Sequence, residues 1–120
     1  MRATEHHAII EELLGQSSGP LSADEVRSSI GVRNISQATV YRVLKKATVD
    51  GMFKEVSFPD GPKRYELASH AHHHHFICLE CDRAFDLKGC PEKINNLAPD
   101  GFEVQGHDLI LKGLCPQCKS

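Results

Sequence analysis

Apolar positions in the first half of the chain recur at helical spacing. Ile9, Ile10, Leu13 and Leu14 form a stripe that predicts a helix over about 4–14. A Ser/Gly/Pro loop follows at 16–20, and then Ser22-Ala23-Asp24-Glu25 has the pattern of a capping box. In that box the Ser22 hydroxyl accepts from the third helical N–H while the Glu25 carboxylate reaches back. The helix so opened should stop at Gly31. Ser36 caps a third helix running to about Asp50, with Gly51 as its stop. Within it Val40, Val43, Leu44 and Ala47 fall at i, i+3, i+4 and i+7 and should face a core. The period then shortens, and 52–58 and 63–67 read as strands joined by the turn Pro59-Asp60-Gly61-Pro62. Three helices and a hairpin over residues 1–67 predict a winged helix-turn-helix with the third helix as reader.

The short segment 68–71 lacks large apolar groups and suits a hinge. Beyond it, 73–78 and 83–87 read as strands, 91–97 as a helix with Pro91 in its first turn, and 102–105 and 108–111 as two further strands. The predicted class is therefore α+β, with an N-terminal winged helix and a small C-terminal α/β domain over 72–120.

At 120 residues the chain makes one domain or two small ones. A unit of about 50 residues buries little core alone and usually needs a metal or a dimer interface. No apolar run approaches a bilayer span, and the charged, helix-periodic N-terminus is unlike a signal peptide, so a soluble cytoplasmic protein is expected. The net charge of −2 does not suggest nucleic acid, but its distribution does. From Val26 to Val49 there is no acidic residue, while Arg27, Arg33, Arg42, Lys45 and Lys46 are all basic. Gln37, Thr39, Tyr41, Arg42, Lys45 and Lys46 lie on the face of the third helix opposite its apolar stripe. They supply donors, cations and one aromatic ring suited to phosphates and base edges in a major groove.

Two knuckles, Cys78-x-x-Cys81 and Cys115-x-x-Cys118, have the spacing of a tetrahedral Cys₄ zinc site. A disulfide framework would need an oxidising compartment. A redox C-x-x-C would be expected to open a helix in a βαβ unit, whereas Cys78 ends an apolar stretch. Cys90 reads as a partly buried small side chain. Just before the first knuckle stand His72, His73, His74 and His75. On an extended strand they alternate faces, so His73 and His75 can serve one site and His72 and His74 another. Glu66 and Asp86 are carboxylates available to the first, His107 and Glu92 to the second. Such ligand sets suit Zn²⁺, Fe²⁺, Mn²⁺ or Co²⁺.

These segments resemble the ferric uptake regulator family of metal-responsive bacterial repressors. Ala38-Thr39-Val40-Tyr41-Arg42-Val43-Leu44 is similar to the family's recognition helix. The run from His72 through Cys81 with Asp86 is similar to its central signature, and Gly101-Phe102 followed by His107 through Cys118 to its C-terminal one. The resemblance spans essentially the whole chain. It implies a winged-helix DNA-binding domain, a hinge and an α/β dimerisation domain, acting as a homodimer on a palindromic A/T-rich operator. It implies structural Zn²⁺ on Cys78, Cys81, Cys115 and Cys118, and a regulatory divalent metal on Glu66, His73, His75 and Asp86. A second metal site is implied on His72, His74 and His107, with Glu92 about one residue off register as its carboxylate.

Pro20 stands where the family usually has one more hinge-site histidine, and it cannot ligate. A peroxide sensor that works by oxidising that histidine is therefore not expected, and zinc is modestly favoured as the signal over iron or manganese. The chain begins near the family's second-helix position, at Arg2-Ala3-Thr4, and is expected to carry little of the basic N-terminal segment. Outside the family, a metalloenzyme lacks support, since there is no H-E-x-x-H and no nucleophile motif. A zinc-binding interaction or storage module would leave the acid-free helix unexplained.

Overall fold

The computed structural model describes residues 3–69, 73–91 and 93–119. The chain forms two compact units, Met1–Ala71 and His72–Ser120. The first contains α1 (Ala3–Gln16), β1 (Leu21–Ser22), α2 (Ala23–Ile30), α3 (Gln37–Val49), β2 (Phe53–Val56) and β3 (Arg64–Leu67). The fold is that of a winged helix-turn-helix.

Local chemistry sets the helix ends. The Ser22 hydroxyl accepts from Glu25 N–H at 3.1 Å, and Glu25 Oε1 accepts from Ser22 N–H at 2.9 Å, completing the capping box. Gly31 terminates α2 at φ 112°, where a Cβ would meet the Asn34 amide at 2.7 Å. At α3 the Ser36 hydroxyl accepts from Thr39 N–H at 3.1 Å. The apolar stripe of α3 is buried throughout and packs with Ile10, Leu14, Val26, Ile35 and Phe53 in one core. Each large member of that core contributes about 1.5–3 kcal/mol through burial.

The three-stranded sheet runs β1-β3-β2, all antiparallel. The two-residue β1, absent from the sequence reading, exists because Leu21 and Ser22 pair with Tyr65 and Arg64. This brings Arg64 to Glu25, with Nη1 donating to Oε1 at 2.8 Å. A buried guanidinium thus ties the hairpin to the start of α2.

The second unit holds β4 (His75–Cys78), β5 (Ala84–Asp86), a 3₁₀ turn η1 (Ile94–Leu97) and β6 (Ile110–Gly113). Its sheet runs β5-β4-β6, with β4 antiparallel to β5 and parallel to β6. Gly113 lies opposite Cys78, where a Cβ would press to 3.1 Å on the Phe76 ring.

Several expectations are corrected here. Of the helix expected over 91–97, the described residues form only the 3₁₀ turn Ile94–Leu97, a segment before Pro99 too short to repay helix nucleation. The segment 102–105 has no regular structure, since no described strand lies beside it to pair with. The strand placed at 108–111 is displaced to Ile110–Gly113, the register β4 accepts, and His73 and His74 precede β4 rather than lie in it.

Among the described residues, the buried apolar groups of this unit are Cys78, Ala84 and Cys115, so it has no large-residue core of its own. No helix of the described residues is long and apolar enough to cross a membrane.

Candidate metal centres and nucleic-acid interface

Cys78 ends β4, Cys81 follows a tight turn, and Cys115 and Cys118 form the matching turn after β6. Cys118 N–H and Lys119 N–H both donate to the Cys115 carbonyl, at 3.0 and 3.1 Å. The first knuckle closes with Asp82 N–H on the Cys78 carbonyl at 2.9 Å and Asp82 at φ 61°, a left-handed position aspartate tolerates. The parallel pairing of β4 with β6 carries the two turns to one place. All four sulfurs lie within 4.8 Å of one another, and Cys81 Sγ and Cys115 Sγ are 3.9 Å apart. Sulfurs on a tetrahedral Zn²⁺ at about 2.3 Å would stand about 3.8 Å apart, so the residues fit that ion.

Backbone N–H groups of Cys81 and Cys115 aim at Cys78 Sγ, each at 3.5 Å, and lower its thiol pKa to about 6. Cys118 is pushed the other way, first by sharing a hydrogen bond with Cys115 and then by burial. Thiols crowded in this way resist becoming thiolates together, and a divalent cation relieves that conflict.

On one side of β4, His73 Nε2 lies 3.0 Å and His75 Nε2 3.7 Å from Asp86 Oδ1. Asp86 arrives there because β5 pairs it with His75. Asp86 Oδ1 is buried and accepts no aligned hydrogen bond among the described residues. Two imidazoles and a carboxylate converging in this way fit a divalent transition metal. Glu66 sits on β3 in the first unit, buried, with Lys54 Nζ at 3.5 Å.

On the other side, His74 and His107 have their rings 4.8 Å apart. The other two residues expected here, His72 and Glu92, lie outside the described residues. Cys90 Sγ approaches both rings. It is exposed, which corrects its reading as a partly buried packing residue. Its place in the loop after β5 left no periodic signal to reveal this.

In the first unit, Gln37, Tyr41, Arg42, Lys45 and Lys46 are exposed on α3, and Thr39 is half-buried. Lys46 Nζ has a loose i,i+4 contact with Asp50 at 3.9 Å. Arg27, counted among the basic residues, is committed to structure: it donates to the carbonyls of Ile35 and Val32 at 3.0 and 3.1 Å and clamps the turn between α2 and α3. Tyr41 also borders a cleft of about 230 Å³ with Asp24, Lys63 and Tyr65, which the sequence reading missed because it joins α2, α3 and the hairpin.

The model of the ferric uptake regulator family matches residues 1–112. The peroxide operon regulator of Bacillus subtilis is 32% identical over 120 residues, covering 95% of this chain and 81% of its own. Among solved structures, a zinc-bound manganese uptake regulator superposes with a TM-score of 0.77 at 28% identity, covering 96% of this chain and 91% of that one. FurB from M. tuberculosis, a zinc uptake regulator, has a TM-score of 0.54 at 27% identity over 98% of this chain and 95% of its own.

Proposed function

This chain belongs to the ferric uptake regulator family of metal-responsive transcriptional regulators, and on that premise we propose that it is a zinc-responsive, homodimeric repressor of metal-uptake genes. The observation that carries the proposal is the convergence of His73, His75 and Asp86 at a place separate from the four cysteines. One set is suited to permanent structural zinc, the other to a metal that comes and goes.

Cys78, Cys81, Cys115 and Cys118 would hold structural Zn²⁺, whose binding energy supplies folding energy to a unit with little core. His73, His75 and Asp86, joined by Glu66 as the family likeness implies, would hold the regulatory ion. When bound, that ion supplies a positive charge that holds its ligands in one arrangement. Zn²⁺ is favoured over Fe²⁺ or Mn²⁺ because these residues offer four ligands, a tetrahedral complement, while Pro20 offers none. Metal need only bind the DNA-competent arrangement better. A hundredfold preference contributes about 2.7 kcal/mol.

Tyr41 and Arg42 are assigned to base and phosphate contacts, with Gln37, Thr39, Lys45 and Lys46 along the same groove. Two copies are required for a palindromic A/T-rich operator. The exposed Leu79, Leu97 and Phe102 of the second unit, 62, 83 and 70% accessible, suit burial against a second copy.

The test is fluorescence anisotropy of a labelled palindromic A/T-rich operator at fixed salt, with the Cys₄ site filled and Zn²⁺, Mn²⁺ or anaerobic Fe²⁺ titrated. Affinity should rise at the lowest free concentration with Zn²⁺. A response to Fe²⁺ or Mn²⁺ alone would overturn the zinc assignment, and a response to none would overturn metal gating.

A further inference from the structure

Cys90 Sγ lies 3.2 Å from His74 Nε2 and 3.0 Å from His107 Nε2. The three residues come from the approach to β4, the loop after β5 and the loop before β6, so their meeting is a product of the tertiary fold. His74 is 1% exposed, and a histidine buried so deeply needs committed partners. One is the Leu109 N–H, which donates to His74 Nδ1 at 3.0 Å. The neutral ring then carries its proton on Nε2, facing the Cys90 sulfur.

We propose that His74, Cys90 and His107 form a transition-metal site in which the Cys90 thiolate is a ligand beside the two imidazoles. The idea rests on the metal-dependent reading above and specifies the ligand chemistry of its second site. A thiolate with two imidazoles selects Zn²⁺, and Co²⁺ as its surrogate, against Mn²⁺ and Mg²⁺. On a tetrahedral zinc a nitrogen and a sulfur stand about 3.6 Å apart. The two N···S separations need to open by about half an ångström from their present values, which an exposed loop cysteine can accommodate.

Loading the site moves protons in a defined way. The Cys90 sulfur gives a lone pair to the metal and releases its thiol proton to solvent. His74 Nε2 also gives a lone pair, so its proton relocates to Nδ1. That nitrogen can then no longer accept from Leu109 N–H, which must turn away. Leu109 also accepts from His75 N–H through its carbonyl, at 3.1 Å. Occupancy is therefore felt at a residue that touches the backbone of the other histidine cluster.

The test uses full-length protein whose Cys₄ site already holds zinc, titrated with Co²⁺ in the absence of DNA. Because no operator is present, failure of the regulatory proposal cannot mimic failure of this one. Sulfur-to-cobalt charge-transfer absorption should appear in the native protein and vanish in Cys90→Ser. In His107→Ala, Co²⁺ affinity should fall at least tenfold with the Cys₄ zinc intact. The Leu109 amide resonance should shift on titration with diamagnetic Zn²⁺. Absence of the charge-transfer band, or its undiminished persistence in Cys90→Ser with the Cys₄ zinc still bound, overturns the proposal. A band without movement of Leu109 removes His74 from the ligands and overturns it equally.

Discussion

Replacing Glu25 by Ala tests how the hairpin is held to the helix-turn-helix. The Glu25 carboxylate has two partners, Ser22 N–H at 2.9 Å and Arg64 Nη1 at 2.8 Å. Losing one side of a capping box costs about 1 kcal/mol. Removing one member of a buried ion pair costs about 3–5 kcal/mol. The Arg64 side chain is 4% exposed but that of Glu25 is 28% exposed, so solvent screens part of the pair. A total near 3 kcal/mol follows from these figures. Ser22→Ala, which loses the cap and leaves the ion pair, should cost only about 1 kcal/mol. Both tyrosines of the chain, Tyr41 and Tyr65, lie in the first unit and there is no tryptophan, so tyrosine fluorescence reports that unit alone. In urea the Glu25→Ala midpoint should drop by roughly 1 M or more. It should fall clearly below that of Ser22→Ala. Coincident midpoints would refute the reasoning, because the Arg64 pair would then add nothing. Operator affinity should fall in the same variant, since β3 loses its tie to α2.

Arg42→Ala should weaken operator binding about 10-fold or more and reduce the salt slope by about one, measured by anisotropy across a salt series. Asp86→Ala should abolish the Zn²⁺-dependent rise in operator affinity while tyrosine-detected unfolding of the first unit stays unchanged. Stripping zinc with a chelator, or Cys115→Ser, should unfold the second unit, seen as loss of hydrogen-exchange protection over β4 and β6. The Ile10–Tyr65 core should remain, because it contains no residue of the second unit.

Much of this protein was legible in its sequence wherever the governing interactions are local. The stripe of Val40, Val43, Leu44 and Ala47 and the caps at Ser22 and Ser36 act within one or two turns of chain, and the structure shows each as a helical feature. The cysteine knuckles are legible for the same reason, since the spacing C-x-x-C already dictates that two sulfurs share a turn. The alternation of His73 and His75 against His74 follows from extended geometry, although only His75 is in the strand.

What sequence could not carry depends on partners far along the chain. A two-residue strand such as β1 has no period and exists only because β3 lies beside it. Segment 102–105 has strand-like alternation but no described neighbour to accept its hydrogen bonds. Arg27 is basic in any composition, yet the turn before α3 consumes its donors. Cys90 reads as a lone cysteine until the parallel pairing of β4 and β6 brings His107 and His74 together beside it. Sequence alone determined which donor atoms the chain owns and its local geometry. Tertiary structure decided which of them converge, because hydrogen bonds and ligand sets are closed by groups dozens of residues apart.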